Sequence, residues 1–276
     1  MHYQLSSRFS SRAPVLRANR PLTDDEIARV APSIFAAEQH DSRSARYTYI
    51  PTIDVLTGLR REGFEPFMVC QTRTRNPDRR DHTKHMIRMR HADQIAGNEA
   101  NEVILLNSHD GSSSYQMLAG MFRFVCQNGM VCGDTFGDFR IPHKGDVIGQ
   151  VIEGAYSVLE SFDRATEQRD GMEALQLTSE HQRLFASAAM AMRYDDPQAA
   201  PIQAAQLLRP RRREDQASDL WSTLNRVQEN MIRGGLQGRN ANGRRATTRE
   251  IAGIDQNIKV NRGLWVLAEG MRQLAA

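Results

Sequence analysis

"NSHDGSSSYQMLAGMFRFVCQNGMVCGD", residues 107–134, decides how the middle of this chain is read. His109-Asp110-Gly111 and the three serines that follow are turn formers, because Asp and Ser side chains bond their own backbone and Gly tolerates positive φ. From Tyr115 the pattern is that of a strand, and Asn128-Gly129 is the dipeptide of a tight hairpin turn. The stretch thus reads as a turn, a strand, an Asn-Gly hairpin and a return strand. Its cysteines, Cys126 and Cys132, are then core residues.

Working outward, the neighbouring segments "EPFMVCQTRTR", "HTKHMIRMRH", "NEVILLNS" and "MVCGDTFGDFRIP" also read as strands. Alternation puts Phe67, Val69, Gln71, Arg73 and Arg75 on one pleat face, and Met68 and Cys70 on the other. In the next strand Lys84, Met86, Arg88 and Arg90 alternate with His85, Ile87, Met89 and His91, so one face is mostly basic. Before these strands, Thr23 and Glu26 form a capping box for a short helix closed by Pro32. A second helix is bracketed by Pro51 and Gly63. After Gly145 the period becomes helical, with Val147, Val151, Ala155, Val158 and Phe162 on one stripe. Further helices follow at "SEHQRLFASAAMAMRY", at Ser218 or Asp219 through Gly234, and in the later half of "IDQNIKVNRGLWVLAEGMRQLA". The expected class is α+β: a meandering antiparallel sheet near residues 64–142, preceded by short helices and followed by a helical C-terminal half. Residues 1–45 read as a basic arm with a short helix, 46–200 as the α+β core, and 201–276 as a helical region with a basic Gly/Arg-rich loop.

The 276 residues, 40% hydrophobic and 25% charged, have the composition of a globular protein with room for a substantial core. Apolar runs such as Val103 to Leu106 are too short to span a bilayer, and the N-terminus has no apolar signal core. Its Arg-rich, acid-free character is faintly that of a transit segment, a basic arm being the simpler reading. Three cysteines make no secreted disulfide framework, so a reducing cytoplasm is expected, with no membrane partner. Net charge is only +3, but it is segregated. Residues 73–91 hold seven Lys or Arg, "LLRPRRRED" packs four Arg into five positions, and residues 232–249 carry five Arg and no acid. Clusters of this kind are what a phosphate-binding surface needs, and solvated faces are the ordinary alternative.

Three chemistries compete for these residues. Zinc is disfavoured, because five residues separate Cys126 from Cys132, wider than the usual structural pairs, so no metal is expected. A Cys-His-Asp set from Cys126, His109 and Asp110 would be the only nucleophilic candidate; no nucleophile elbow, phosphate loop or dinucleotide pattern accompanies it, and no cofactor is implied. Nucleic-acid contact draws on more residues. Arg73, Arg75, Lys84, Arg88, Arg90 and Arg123 would contact phosphates along adjacent strands, with Tyr115 or Phe122 available to stack on bases. The ordinary reading is that the aromatic rings are core and the arginines coat the surface. The segment "RGGLQGRNANGRRATTR" could wrap phosphates or be a plain linker.

The segments "RYTYIPTIDVLTGLRREGFEPFMVCQTRTR", "RRDHTKHMIRMRH", "EVILLNSHDGSSSYQMLAGMFRFVCQNGMVCGD", "PHKGDVIGQVIEGAYSVL", "DLWSTLNRVQENMIRGGLQGR" and "IKVNRGLWVLAE" are similar to prophage and plasmid proteins of domain-of-unknown-function family 932. The resemblance runs over nearly the whole chain. It implies a mobile-element setting, and so DNA metabolism, host takeover or defence evasion, and it supplies no catalytic residues. The leading expectation is a cytoplasmic protein that binds single-stranded DNA through a basic sheet face, in recombination or strand annealing, as a homo-oligomer. Phage annealing proteins likewise follow a curved basic sheet with a long helix, a fold-level analogy. The alternatives are an enzyme or host-directed modulator with its site around His109, Asp110 and Cys126, or a protein-binding anti-host factor.

Overall fold

The computed structural model describes residues 14–37, 50–74, 76–91, 95–96, 99–110, 113–123, 128–132, 139–141, 145–196 and 199–275. The chain divides into two compact units, one of Met1–Gly129 with Thr135–Phe162, the other of Met130–Asp134 with Asp163–Ala276. No described helix is long and apolar enough to cross a membrane.

The first unit is built on an antiparallel sheet. Its strands are β1 (Val15–Arg17), β2 (Phe64–Gln71), β3 (His85–His91), β4 (Ile95–Ala96), β5 (Glu99–Asn107), β6 (Tyr115–Arg123), β7 (Asn128–Val131) and β8 (Phe139–Ile141). They lie in the order β1-β2-β3-β5-β6-β7, with β4 beside β5 and β8 beside β6. Helix α1 (Asp24–Val30) begins at the Thr23–Glu26 capping box and is followed by a 3-10 turn at Pro32–Phe35. Helix α2 (Thr52–Arg61) starts after Pro51, and Gly63, at φ 85°, turns the chain into β2. Helix α3 (Val147–Glu160) buries the stripe Val147, Val151, Ala155 and Val158. It packs on α2 and on β6, where a Cβ at Gly154 would lie 3.1 Å from Met117 Sδ. The class is α+β.

The sheet is curled. Arg17 on β1 stands 4.6 Å over the ring of Phe122 on β6, although three strands separate β1 from β6. One sheet face therefore lies inside the curl. It carries Arg17, Arg88, Arg90, Glu102 and Phe122, all buried. The other face, with Val69, Ile87, Val103 and Met117, is the apolar face that the helices cover.

Two expectations for this region are corrected. Strand alternation places Phe67 with Val69, but the register shifts between Pro66 and Met68. Proline cannot donate a ladder hydrogen bond and marks such a bulge. Phe67 consequently turns to the curled face and lies 4.3 Å beneath the Arg90 guanidinium. Asn128 and Gly129, expected as a hairpin turn, belong to strand β7. Gly129 is needed for a different reason: a Cβ there would fall inside the Arg88 guanidinium.

The second unit is helical. It contains α4 (Phe162–Ala174) from its second residue, α5 (Ser179–Arg193), α6 (Leu220–Arg233) and α7 (Ile254–Ala275), with a short hairpin of β9 (Gln237–Arg239) and β10 (Arg245–Thr247). The last helix spans the whole of the segment whose later half was expected to be helical. Helix α6 is capped by Asp219 and ends at Gly234, at φ 62°; Leu220 through Ile232 are all buried. Trp221 and Trp265 meet edge-on at 6.0 Å, and Trp265 Nε1 donates to Gln168 Oε1 at 3.0 Å. Polar residues within α6 find partners inside the unit: Gln228 donates to Asn261, and Asn230 donates to the Leu207 and Arg209 carbonyls. Such pairing is what allows a polar helix to be buried on every side.

Candidate functional site

Three polar arrangements among the described residues bear on function. The first is a buried network around Thr52, the first residue of α2. Ser33, Thr52, His85, Asn107, His109 and Tyr115 are each fully buried. Gln71 Oε1 accepts from both Ser33 N (3.1 Å) and Ser33 Oγ (2.9 Å), while Gln71 Nε2 donates to the Arg80 carbonyl at 2.5 Å. These bonds fix the amide and consume the Ser33 proton. Ser33 Oγ therefore accepts from His85 Nδ1 at 2.8 Å, leaving His85 Nε2 to accept from Thr52 Oγ1 at 3.0 Å. Thr52 Oγ1 in turn accepts from Asn107 Nδ2 at 3.0 Å and His109 Nε2 at 3.2 Å. Burial first, and the neighbouring His109 second, push the His85 pKa down to about 3, so this imidazole is neutral. The Ser33 hydroxyl has no base to activate it. The network fastens the Pro32–Phe35 turn and the start of α2 to β2, β3 and β5.

The second arrangement is ionic. On the curled face Glu102 accepts from Arg88 Nε, and from Arg90 Nη2 at 2.9 Å and Nε at 3.0 Å. Burial alone would raise the Glu102 pKa, but the charges of Arg88, Arg90 and Arg17 outweigh it and hold the carboxyl below its usual range. Arg90 also lies 4.6 Å over the Phe122 ring. Gly120 opens space for this cluster, since a Cβ there would come within 2.7 Å of Arg88 Nη2.

The third arrangement is the β9–β10 hairpin of the second unit. Gln237, Arg239, Arg244, Arg245, Thr247 and Arg249 are exposed. Arg239 and Arg245 are directly opposed across the ribbon. From Asn230 to Arg249 there is no acidic residue, and no described acid pairs with Arg244, Arg245 or Arg249. The turn is ordered by Asn240, whose Oδ1 accepts from Asn242 N (3.1 Å) and Arg244 N (3.0 Å). At its root, Arg239 N donates to the Pro201 carbonyl at 2.9 Å and Gln206 Nε2 to the Gln237 carbonyl at 2.9 Å. Arg193 donates to the Met231 and Arg249 carbonyls, tying the end of α6 to the hairpin's exit. Arg211 does the same at the entrance, bonding Asn230 Oδ1 at 2.7 Å and the Gly234 carbonyl at 2.6 Å.

The residues singled out from sequence fall into different places. Arg88 and Arg90, expected on an exposed basic face, are buried against Glu102, because the sheet curls that face inward. Tyr115 and Phe122, expected to stack on bases, are core: Tyr115 OH donates to the Ile50 carbonyl at 3.0 Å, and Phe122 lies beneath Arg17 and Arg90. Arg123 is largely buried, 3.8 Å from Glu99, its cross-strand partner. Arg73 is exposed and Lys84 half-buried, both in the β2–β3 connection beside the exposed Arg79 and Arg80. His109 belongs to the Thr52 network, and Asp110 N donates to the His82 carbonyl at 3.1 Å. Arg75 and Cys126 lie outside the described residues. Among the described residues no group of three or more His, Cys, Asp or Glu is placed to hold a metal ion. Ser33 and Thr52 were not legible as partners of His85. A threonine at a helix start and a serine in a short turn carry no sequence signal of a contact made across 52 residues, the separation of Ser33 and His85.

The chain belongs to the family described as "Domain of unknown function (DUF932)", whose model matches residues 39–265. It is similar to the UPF0380 protein YafZ of Escherichia coli strain K12, 56% identical over 268 residues that cover 97% of each chain. It is similar also to the UPF0380 protein YfjQ of the same strain, 56% identical over 266 residues, 96% of this chain and 97% of that relative. No solved structure matches the chain.

Proposed function

We propose that the protein binds nucleic acid through its phosphate backbone, single-stranded DNA first, and that the β9–β10 hairpin is the contact surface. The observation that carries this reading is the run of exposed arginines, Arg239, Arg244, Arg245 and Arg249, on an ordered ribbon that holds no acid. Arginine donors fixed on a ribbon suit phosphate oxygens, and each contact made releases condensed counterions. Arg73, Arg79, Arg80 and Lys84 form a second, weaker candidate, because Asp78 and Asp81 are exposed among them. With Tyr115 and Phe122 in the core, binding draws on phosphates more than on sheet-face stacking. Annealing of complementary strands is the activity such binding would serve.

The test is the shift of a labelled single-stranded oligonucleotide at low and then rising salt. Binding that weakens steeply with salt is expected. An oligonucleotide that stays free at low salt overturns the proposal.

A further inference from the structure

A cavity of about 590 Å³ lies at the root of the hairpin, within the second unit. Its floor is apolar, made by the buried Met190 and Ile202 and by Pro201. Its rim is polar and exposed: Ser187 on α5, Gln203 before the Ala204–Leu208 turn, and Arg239 on β9. No acidic side chain is among its lining residues. The wall formed by β9 is rigidly placed. Gly238 sits so close to the Pro201 carbonyl that a Cβ would overlap that oxygen, and the Arg239 and Gln206 bonds clamp the strand on either side.

We infer that this cavity receives a nucleotide base, while Arg239 at its rim and Arg245 opposite Arg239 hold the attached phosphates. The inference rests on the phosphate-binding reading of the hairpin and adds a base to it. A flat, weakly polar ring fits an apolar floor with a polar rim, and the volume is that of a small-ligand site. The anionic part of the same ligand meets Arg239, which lines the cavity and whose Nη1 also donates to the Gly243 carbonyl at 2.8 Å, so one nucleotide satisfies both halves of the site. The nucleotide can belong to a strand or be free; the chemistry recognised is the same.

The experiment compares a single-stranded oligonucleotide with an abasic strand of equal length, on the full chain, while the methyl resonances of Met190 and Ile202 are followed by NMR. A deoxyadenosine monophosphate titration forms the second arm. The inference predicts that the abasic strand binds about tenfold more weakly with an unchanged salt slope, and that both methyl resonances shift with the normal strand. Equal affinity for the two strands, or methyl resonances that do not move, overturns it while leaving the phosphate reading in place. If neither strand binds, that reading falls; the base site then stands only if the mononucleotide shifts the methyl resonances, and is overturned if it does not.

Discussion

Arg239 and Arg245 occupy directly opposed positions across β9 and β10, so two like charges share one face of an exposed two-stranded ribbon. Like charges directly opposite cost a ribbon stability, of the order of a few tenths to 1 kcal/mol. A ribbon that bears this cost is better suited to an anion than to folding alone. Replacing Arg245 by Thr should therefore slow amide exchange in the hairpin, for example at Thr248 N, which donates to the Leu236 carbonyl, while weakening oligonucleotide binding. Stability and affinity moving in the same direction would contradict the assignment.

Gly129 and Gly120 make room for one buried guanidinium, that of Arg88. Gly129→Ala should destabilise the protein by roughly 1–3 kcal/mol in chemical denaturation, through overpacking against Arg88. Glu102→Gln should cost more, roughly 3–5 kcal/mol, because it leaves Arg88 and Arg90 without their shared carboxylate. If the sheet face were open to solvent, both changes would be nearly neutral.

Thr52 lies at the centre of the polar network, donating to His85 and accepting from Asn107 and His109. Thr52→Val keeps the shape and removes the hydroxyl, so several buried groups lose a partner. A loss of roughly 2–4 kcal/mol is expected, against a much smaller loss for Thr52→Ser. Equal effects of the two substitutions, read from denaturation midpoints, would show that the hydroxyl is not the link.

His85 makes stability depend on acid. Its folded pKa of about 3 lies below the ordinary imidazole value of 6.5, so the unfolded chain takes up a proton that the folded one refuses. The His85 contribution is complete above pH 6.5 and is lost as pH falls toward 3, at up to about 1.4 kcal/mol per pH unit. His85→Gln should flatten the stability profile between pH 6.5 and 3, and an unaltered profile would remove His85 as its source.

Much of the framework was legible because it rests on local patterns. The Thr23–Glu26 box, the glycines at 63 and 234, and the Val147–Val158 stripe each state a local requirement of the backbone or of one helix face. The candidate site was legible only in its charge. Alternation in "KHMIRMRH" groups Arg88 with Arg90, but it cannot say whether that face looks outward. The curl that brings Arg17 over Phe122 decides this, and the curl depends on contacts between strands far apart in the chain. Plain alternation passes over the bulge at Pro66, whose consequence for Phe67 needed the register of β3. Residues 232–249 were read as a wrapping loop or a linker because Gly and Arg carry no strand pattern. The hairpin there owes its order to Asn240 and to the clamp on Pro201.

Fluorescence anisotropy of a labelled single-stranded oligonucleotide, titrated across salt concentrations, tests the central claim most directly when the full chain is set beside its Arg244→Ala/Arg245→Ala/Arg249→Ala variant. The full chain should bind at low salt, and the variant should bind more weakly, with a salt slope smaller by about 0.7 for each phosphate contact removed. No binding by the full chain, or a variant with unchanged affinity and slope, would contradict the account.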